Sequence, residues 1–367
     1  MRWLAAALAL LFAVPATAQD KPEWVGVWEG NVGTYPVRPC IDVWGDGPAR
    51  GSYYYLSQLE PIALSEEDGE GGWIERSGDS EAEWNFTELT GTAMRGNWRQ
   101  LRITQPFALR PVAWTEGEWG GPCSSAAFLA PRVGGGTVES EEAFLVGGGV
   151  GIPDLPRFTV HRYRPPPHLD EISVEAFTIP GEQPGDVAIN AVLEAALPRG
   201  TVEDEFAQCL GGAIAALGTD GYFEHTLKPV MFSRVFLTVE DSSSTYCGGA
   251  HPNHWTAYRT FDRQNGEELD LFGWIGEPRI DGDDSVLPEA LRAEVAAVLS
   301  EAEGECGELA EDASYWSLGL RQDGMLFWPD LPHVATACEE AILLSWDQMQ
   351  SFLDAEGRAG LARLREP

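Results

Sequence analysis

Lysine is the scarcest charged residue of this sequence. Lys21 and Lys228 are its only lysines, and 58 acidic residues face 24 basic ones, so the formal net charge is −34 at pH 7. The sign of this charge excludes nucleic acid as a partner and disfavours an anionic membrane surface. The acidity is typical of a salt-adapted surface or of a genome that favours arginine over lysine. A large field of one sign can also steer a cationic partner toward the protein.

Long apolar runs are missing beyond the start of the chain. No later segment reaches the roughly 18 apolar residues of a membrane-spanning helix, so we predict no membrane span. The opening run follows Arg2 and ends in Ala16-Thr17-Ala18, the small-residue pattern of a signal peptide. We therefore expect residues 1–18 to be removed after Ala18 and the mature protein to be periplasmic or secreted.

Several catalytic and cofactor motifs are also absent. The sequence has no Cys-x-x-Cys pair, no Gly-x-Ser-x-Gly elbow and no phosphate-binding or dinucleotide-binding loop. Zinc ribbons, thioredoxin-type redox centres and the common serine hydrolases are therefore disfavoured. We predict no cofactor and no metal, and the sequence favours a protein that is not an enzyme.

Six cysteines are present, which in an exported chain favours three disulfides. Fifteen pairings are formally possible. Proximity in the sequence favours three of them: Cys40–Cys123, Cys209–Cys247 and Cys306–Cys338.

The first half of the chain is predicted to be all-β. Over residues 22–163, short alternating apolar segments are separated by Gly, Asp and Ser turns, a pattern typical of a barrel or sandwich. Eight of the 14 tryptophans lie between Trp24 and Trp119. They fill a small β core or form an aromatic platform for sugars, and for the platform we single out Tyr53 and Tyr55 of the Tyr-Tyr-Tyr run.

The second half has a mixed pattern. Glycine-rich pieces at 133–137 and 146–151 bracket a segment that looks like a loop, and we predict a proline-rich linker over residues 164–184. Residues 185–367 then predict an α+β domain with an antiparallel sheet and several helices. Asn265-Gly266 predicts a type I′ hairpin and Asp323-Gly324 a second turn.

One short stretch, "YCGGAHPNHW" at 246–255, is the main candidate for a functional site. We single out Gly248, Gly249, His251, His254 and Trp255 as binding residues. Three interpretations stay open. The stretch is a structural corner that needs glycine conformations and a His251 bonded to buried backbone, or a ligand-binding loop, or a metal site. A metal site would need a third ligand from Asp262, Glu224 or His225, because two histidines on a strand at this spacing point to opposite faces.

The chain from about 168 to 360 resembles a known extracellular domain family. The resemblance rests on Gly248-Gly249-Ala250-His251, on "TFDRQNGEELDL" and on the closing "YWSLGLRQDGMLFWP" hairpin with its following strand and helix. The family occurs in the lysozyme-sensing anti-sigma factor RsiV and in the peptidoglycan deacetylase PdaC. The resemblance implies an RsiV-like domain of unassigned biochemistry. The transmembrane and cytoplasmic parts of RsiV and the catalytic motif of PdaC have no counterpart in this sequence.

Two functions are suggested as hypotheses. The first is an exported, non-catalytic protein of the cell envelope that binds a cationic lysozyme-like protein or a peptidoglycan glycan through a preformed surface. The alternative is an enzyme that modifies or hydrolyses envelope polysaccharide at a site centred on His251.

Overall fold

A computed structural model describes residues 21–45, 47–67, 72–77, 80–144, 157–276, 287–303, 306–311, 313 and 315–366. The predicted signal peptide lies outside these residues. Among the residues described, no helix is both long and apolar enough to cross a bilayer. The three disulfides have the pairing that sequence proximity favours, and they fit an extracellular or periplasmic protein.

The N-terminal part is a closed barrel of eight antiparallel strands in sequence order, in which β8 returns to pair with β1. The strands are β1 (Gly26–Val32), β2 (Tyr35–Val43), β3 (Ala49–Tyr55), β4 (Ile62–Glu66), β5 (Gly72–Ser77), β6 (Ser80–Leu89), β7 (Met94–Gln100) and β8 (Ile103–Val112). Alternate side chains point inward, so Trp28, Trp73 and Trp84 are buried together in the barrel core.

A six-stranded sheet follows, with strand order β14-β13-β12-β11-β10-β9. Its strands are β9 (Thr137–Phe144), β10 (Arg157–Arg164), β11 (Ile172–Thr178), β12 (Tyr222–Phe232), β13 (Phe236–Tyr246) and β14 (Asn253–Asp262). Three helices accompany it: α1 (Ala126–Val133), α2 (Asp186–Glu194) and α3 (Glu205–Leu217). The pair β11–β12 is parallel, so the sheet is mixed rather than purely antiparallel.

The last part packs a three-stranded sheet against several helices around one hydrophobic core. The strands are β15 (Tyr315–Leu320), β16 (Gly324–Asp330) and β17 (Ile342–Ser345). The helices are α4 (Glu289–Glu303), α5 (Cys306–Glu311), α6 (Trp346–Met349) and α7 (Ala355–Arg365), and short 3-10 helices span Pro167–Leu169, Gly273–Ile275 and His333–Cys338. The barrel and the α+β region confirm the predicted fold class.

The strand pairing corrects two local assignments. The segment between the glycine-rich pieces is not a loop, because β9 pairs along its whole length with β10. Arginines on β10 make ion pairs with the glutamates of β9, for example Arg164 with Glu139 at 2.8 Å, and this offsets the poor strand propensity of that acidic run. The second glycine-rich piece lies outside the described residues.

The sheet also crosses the predicted boundary at 163 and the predicted linker. Strands β9 and β10 come from the range assigned to the first domain, and β11 lies within 164–184, yet all three belong to the second sheet. Hydrogen bonds to neighbouring strands place β9, β10 and β11 in this sheet, although the local proline-rich sequence predicted a linker. Whether the barrel and the α+β region fold as separate domains stays a prediction.

A buried arginine joins the barrel to the α+β region. Arg132 at the end of α1 has no exposed surface and makes two hydrogen bonds to Asp220, at 2.9 and 2.5 Å. Its Nε donates to the carbonyl oxygen of Leu59 in the barrel at 2.7 Å. The Cys40–Cys123 disulfide crosses the same junction. The two parts are therefore fixed against each other by covalent and charged contacts.

Candidate functional site

The stretch at 246–255 turns the chain from β13 into β14 and is fastened to helix α3. Cys247 forms a disulfide with Cys209 of α3. Gly248 has φ +91°, and a Cβ added there would lie 2.8 Å from the Cβ of Ala216 and 2.9 Å from the carbonyl oxygen of Gly212. The expected need for glycine is therefore confirmed at Gly248.

Gly249 does not share this role. The nearest atom to a Cβ added at Gly249 is the carbonyl oxygen of His251, at 3.6 Å, and its φ lies outside the left-handed region. The expectation that both glycines are needed for conformation or close approach is therefore wrong for Gly249, because the chain leaves the surface of α3 after Gly248.

His251 and His254 lie on the exposed side of this corner. The His251 ring stacks on His333, with ring centroids 4.1 Å apart and planes 12° apart. His254 Nε2 donates to Glu339 Oε2 at 3.1 Å. The expectation that His251 bonds buried backbone is wrong, because its Nδ1 contacts the neighbouring Pro252 carbonyl oxygen in an exposed position.

The partners of the two histidines come from a segment that sequence reasoning missed. His333 opens the 3-10 helix His333–Cys338, which the Cys306–Cys338 disulfide ties to α5. Glu339 follows directly, and its Oε1 accepts from Leu331 N at 3.0 Å. Half of the six histidines of the chain thus meet at one corner. The scarcity of histidine was the one sequence signal that could have suggested their grouping.

None of the three expected third ligands lies in this cluster. His225 contacts Asp241, Glu224 is exposed on β12, and Asp262 pairs with Arg363 at 2.8 Å. In the described part of the chain, no three metal-ligating side chains converge. The stacking explains this in part, since two parallel imidazoles hold their lone pairs in separate parallel planes and cannot aim them at one ion.

An aromatic groove of about 220 Å³ lies beside the histidines. Trp255, Tyr315 and Trp328 line it, together with the carboxylates of Asp330 and Glu339. Trp255 is 39 % exposed and Tyr315 is 40 % exposed. The groove therefore offers flat apolar rings and the Asp330 carboxylate to solvent, whereas the Glu339 side chain is 8 % exposed and both of its oxygens accept hydrogen bonds within the protein.

The groove forms where the three-stranded sheet docks on the edge strand β14. Ser317 Oγ accepts from Tyr258 N at 2.6 Å and donates to Tyr258 O at 3.4 Å. Gly319 permits the approach, because a Cβ there would lie 2.8 Å from the Tyr258 Cβ. We call this set of residues the corner surface; its residues are His251, His254, Trp255, Tyr315, Trp328, His333 and Glu339.

The tyrosine run of β3 places Tyr53 in the barrel core, whereas a binding role for Tyr55 stays a prediction. Tyr53 has no exposed surface and points into the barrel, where its hydroxyl donates to Glu75 at 2.5 Å. Burial, together with the Glu75 carboxylate, raises the pKa of Tyr53 far above its usual value. Tyr54 points outward but is buried against Phe128, and Tyr55 is half-buried beside Tyr53. Tyr53 is therefore a core residue, and the ligand-binding role predicted for it is wrong.

Glu75 is a buried carboxylate that the sequence did not reveal. Its Oε2 also accepts from Trp84 Nε1 at 3.0 Å and from Trp98 Nε1 at 2.7 Å. Three donors on one oxygen compensate the desolvation of this carboxylate inside the aromatic core. This hydrogen-bonded cluster stabilises the barrel.

Comparison with known proteins gives little beyond this geometry. No family model and no curated protein matches the chain. A solved DUF3298 family protein from Pseudomonas aeruginosa PAO1 is similar at 14 % identity and a TM-score of 0.34, over 61 % of this chain and 97 % of its own. A DUF3298 member from Bacteroides fragilis NCTC 9343 is similar at 14 % identity and a TM-score of 0.33, over 64 % of this chain and 99 % of its own.

At these TM-scores the similarity carries no argument about the site or its ligand. The resemblance of the C-terminal half to the extracellular domains of RsiV and PdaC stays a prediction.

Proposed function

We propose that this chain is an exported, non-catalytic binding protein of the cell envelope and that its corner surface binds a cell-wall glycan. The observation that carries the proposal is the groove, where Trp255, Tyr315 and Trp328 stand beside two carboxylates. Sugar rings stack their apolar faces on aromatic rings, and sugar hydroxyls donate to carboxylates. A volume of about 220 Å³ suits a single sugar ring.

The groove is also rigid, which favours binding without reorganisation. Disulfides hold the corner to α3 and the His333–Cys338 helix to α5, and Ser317 pins β15 to β14. Little side-chain or loop entropy would be lost when a ligand enters such a site.

The test is a titration of the purified protein with soluble peptidoglycan oligosaccharides, followed by calorimetry. We expect Trp255→Ala to weaken binding at least about tenfold, about 1.4 kcal/mol, because exposed tryptophans are common energetic centres of binding sites. Trp44→Ala is the matched control, since Trp44 is 59 % exposed on the barrel, away from the groove. Equal affinity of the wild type and Trp255→Ala would refute the proposal.

A cationic lysozyme-like protein is the second candidate partner, and the net charge of −34 favours it. Opposite charges would speed association and make it depend on salt. Pull-down of lysozyme at low and at moderate salt tests this candidate, and absence of binding at low salt would remove it.

The alternative of an enzyme centred on His251 is kept as a hypothesis with its own test. Replacement of His251 and His254 by alanine, with muropeptide profiles recorded before and after incubation, would reveal a product that depends on these rings. An unchanged profile with the wild-type protein would rule that activity out for the substrate used.

A further inference from the structure

One end of the barrel presents apolar side chains to solvent. The β1–β2 and β7–β8 turns share this end, because β1 and β8 are antiparallel and Val32 pairs with Phe107. The β7–β8 hairpin continues past that pair by residues 103–106, about 13 Å at the usual rise of a strand. The exposed apolar residues at this end are Leu101 at 95 %, Tyr35 at 60 % and Ile103 at 56 %. The corner surface has no residue in the barrel, so this end is independent of the proposed function.

Leu101 has a backbone conformation that does not suit a leucine. It opens the two-residue turn between the paired residues Gln100 and Ile103, and its φ is +53°. Such turns favour glycine, asparagine or aspartate, since a bulky side chain is strained at positive φ. Among the residues described, Leu59 is the only other non-glycine residue with positive φ, and its carbonyl oxygen accepts from Arg132. The Leu101 side chain instead stands almost wholly in water, so the fold gains little from a leucine at this position.

Tyr35 and Ile103 lie at the mouth of the barrel. Tyr35 is two residues before the buried Val37 on β2, so its side chain has the same inward direction but lies at the rim. Ile103 stands in the same relation to the buried Phe107 on β8. The ring of Tyr35 meets Tyr55 edge-on, with centroids 6.1 Å apart. The end is therefore convex, with a leucine-tipped hairpin above an apolar rim.

This end is close to neutral in a chain whose net charge is −34. Its three described turns span residues 33–36, 56–61 and 100–104, and their charged residues are Glu60 and Arg102, one of each sign. The opposite end is acidic, because β4 ends there in Glu66, which Glu67 follows. The apolar end therefore lacks the negative field that the rest of the surface carries.

We propose that this end of the barrel binds peripherally to a zwitterionic lipid surface, with Leu101 inserted at the boundary of the acyl chains. A convex tip needs a partner that deforms around it, and a fluid bilayer does so without a preformed pocket. Ile103 adds apolar contact, and the ring of Tyr35 suits the headgroup level. Arg102 is next to the inserted leucine and makes no ion pair among the described residues, so its guanidinium is available to a lipid phosphate.

The binding is weak and reversible. Three side chains bury no more apolar surface than a single myristoyl chain, whose association constant with a membrane is about 10⁴ M⁻¹. The acidic remainder of the surface is screened beyond about 8 Å at physiological salt, so the neutral end can approach a zwitterionic bilayer. Anionic lipid should oppose this approach, because the protein as a whole is negative.

The test is co-sedimentation with phosphatidylcholine vesicles at millimolar lipid and physiological salt. The purified chain starts at residue 19, so that the apolar run of residues 1–18 cannot itself bind lipid. We expect a bound fraction that rises with lipid and falls at least about tenfold in affinity for Leu101→Gly, since the variant loses the burial of one leucine side chain. Glycine adopts positive φ without strain, so this variant should keep or raise the unfolding temperature, and unfolding cannot explain its loss of binding.

Val334→Ser is the matched control, because Val334 is 96 % exposed but lies on the 3-10 helix His333–Cys338, outside the barrel. It should bind vesicles as the wild type does, and Leu101→Gly should keep the wild-type affinity for peptidoglycan oligosaccharides. A wild type that stays in the supernatant would overturn the proposal and leave the apolar end to a protein partner. Equal binding of the wild type and Leu101→Gly, or stronger binding to vesicles with added phosphatidylglycerol, would also overturn it.

Discussion

The barrel core and the corner surface are built from the same types of side chain and differ in enclosure. In the barrel, Tyr53 and Trp84 are buried and direct their donors to Glu75. At the corner, Trp255 and Tyr315 stand half in solvent beside Glu339. An aromatic–carboxylate cluster stabilises the fold when a closed sheet surrounds it. The same kind of cluster at a sheet edge leaves its aromatic rings accessible to a ligand.

The largest difference is expected when a tryptophan is removed from each region. Trp84→Ala should lower the free energy of unfolding by about 3–5 kcal/mol, since it leaves a large cavity in the barrel. Trp255→Ala should lower it less, by about 1–2 kcal/mol, because Trp255 is 39 % exposed and its removal leaves no closed cavity. Urea denaturation followed by circular dichroism measures both. A similar decrease in the free energy of unfolding for the two variants would contradict the difference in enclosure between the barrel core and the corner surface.

The carboxylates should differ in the same direction. Glu75→Ala leaves three donors, two of them buried, without their acceptor and should cost about 3 kcal/mol or more. Glu75→Gln keeps one acceptor oxygen and should cost less. Glu339→Ala, at the corner, should cost about 1 kcal/mol, since it removes the bonds to Leu331 N and His254. Both carboxylates are largely enclosed, so an equal cost for Glu339→Ala and Glu75→Ala would contradict the view that the number of lost donors decides the difference.

Within the corner, Gly248 packs closely against α3, and the adjacent Gly249 does not. Gly248→Ala should destabilise by about 2 kcal/mol through its left-handed backbone and its contact with α3. Gly249→Ala, the matched control, should change the stability by less than about 0.5 kcal/mol. Thermal unfolding of the two variants measures the difference, and equal effects would contradict the role assigned to Gly248.

The smallest effect is expected from alkaline pH on the barrel. Burial raises the pKa of both Tyr53 and Tyr54, so the folded state keeps protons that the unfolded state loses. The contribution of these two tyrosines to the free energy of unfolding is then fully present below pH 10. It falls as the pH rises above 10, by about 1 kcal/mol per tyrosine between pH 10 and 11. Tyr54→Phe should reduce this slope. A stability that is flat up to pH 11 would contradict the burial of these hydroxyls.

Much of the fold could be read from local patterns. The alternating strands predicted a barrel or sandwich, Asp323-Gly324 marks the β15–β16 turn, and sequence proximity favoured the observed disulfides. The turn at Asn265-Gly266 exists, but only Gly266 has positive φ, so the predicted type I′ geometry is wrong. Contacts of the loop with the backbone of Gly185 decide its shape, and no local pattern encodes them.

Only one of the two segments that form the candidate site was predicted from the sequence. Its first part, from His251 to Trp255, stood out as an unusual stretch. Its second part, His333 and Glu339, lies about 80 residues later, and only the docking of the three-stranded sheet brings the parts together. The parallel pair β11–β12 and the recruitment of β9 were missed for the same reason: sheet partners are chosen by packing across the whole molecule.

Because the sequence has only two lysines, their side chains are two defined sites for chemical labelling. Lys21 stands at the start of the barrel with a half-exposed ammonium, and Lys228 lies exposed on β12 of the sheet. Reagents that acylate side-chain amines would therefore mark one position on each part of the protein without any engineered cysteine. A dye pair placed this way would report the spacing of barrel and sheet while the disulfides stay intact.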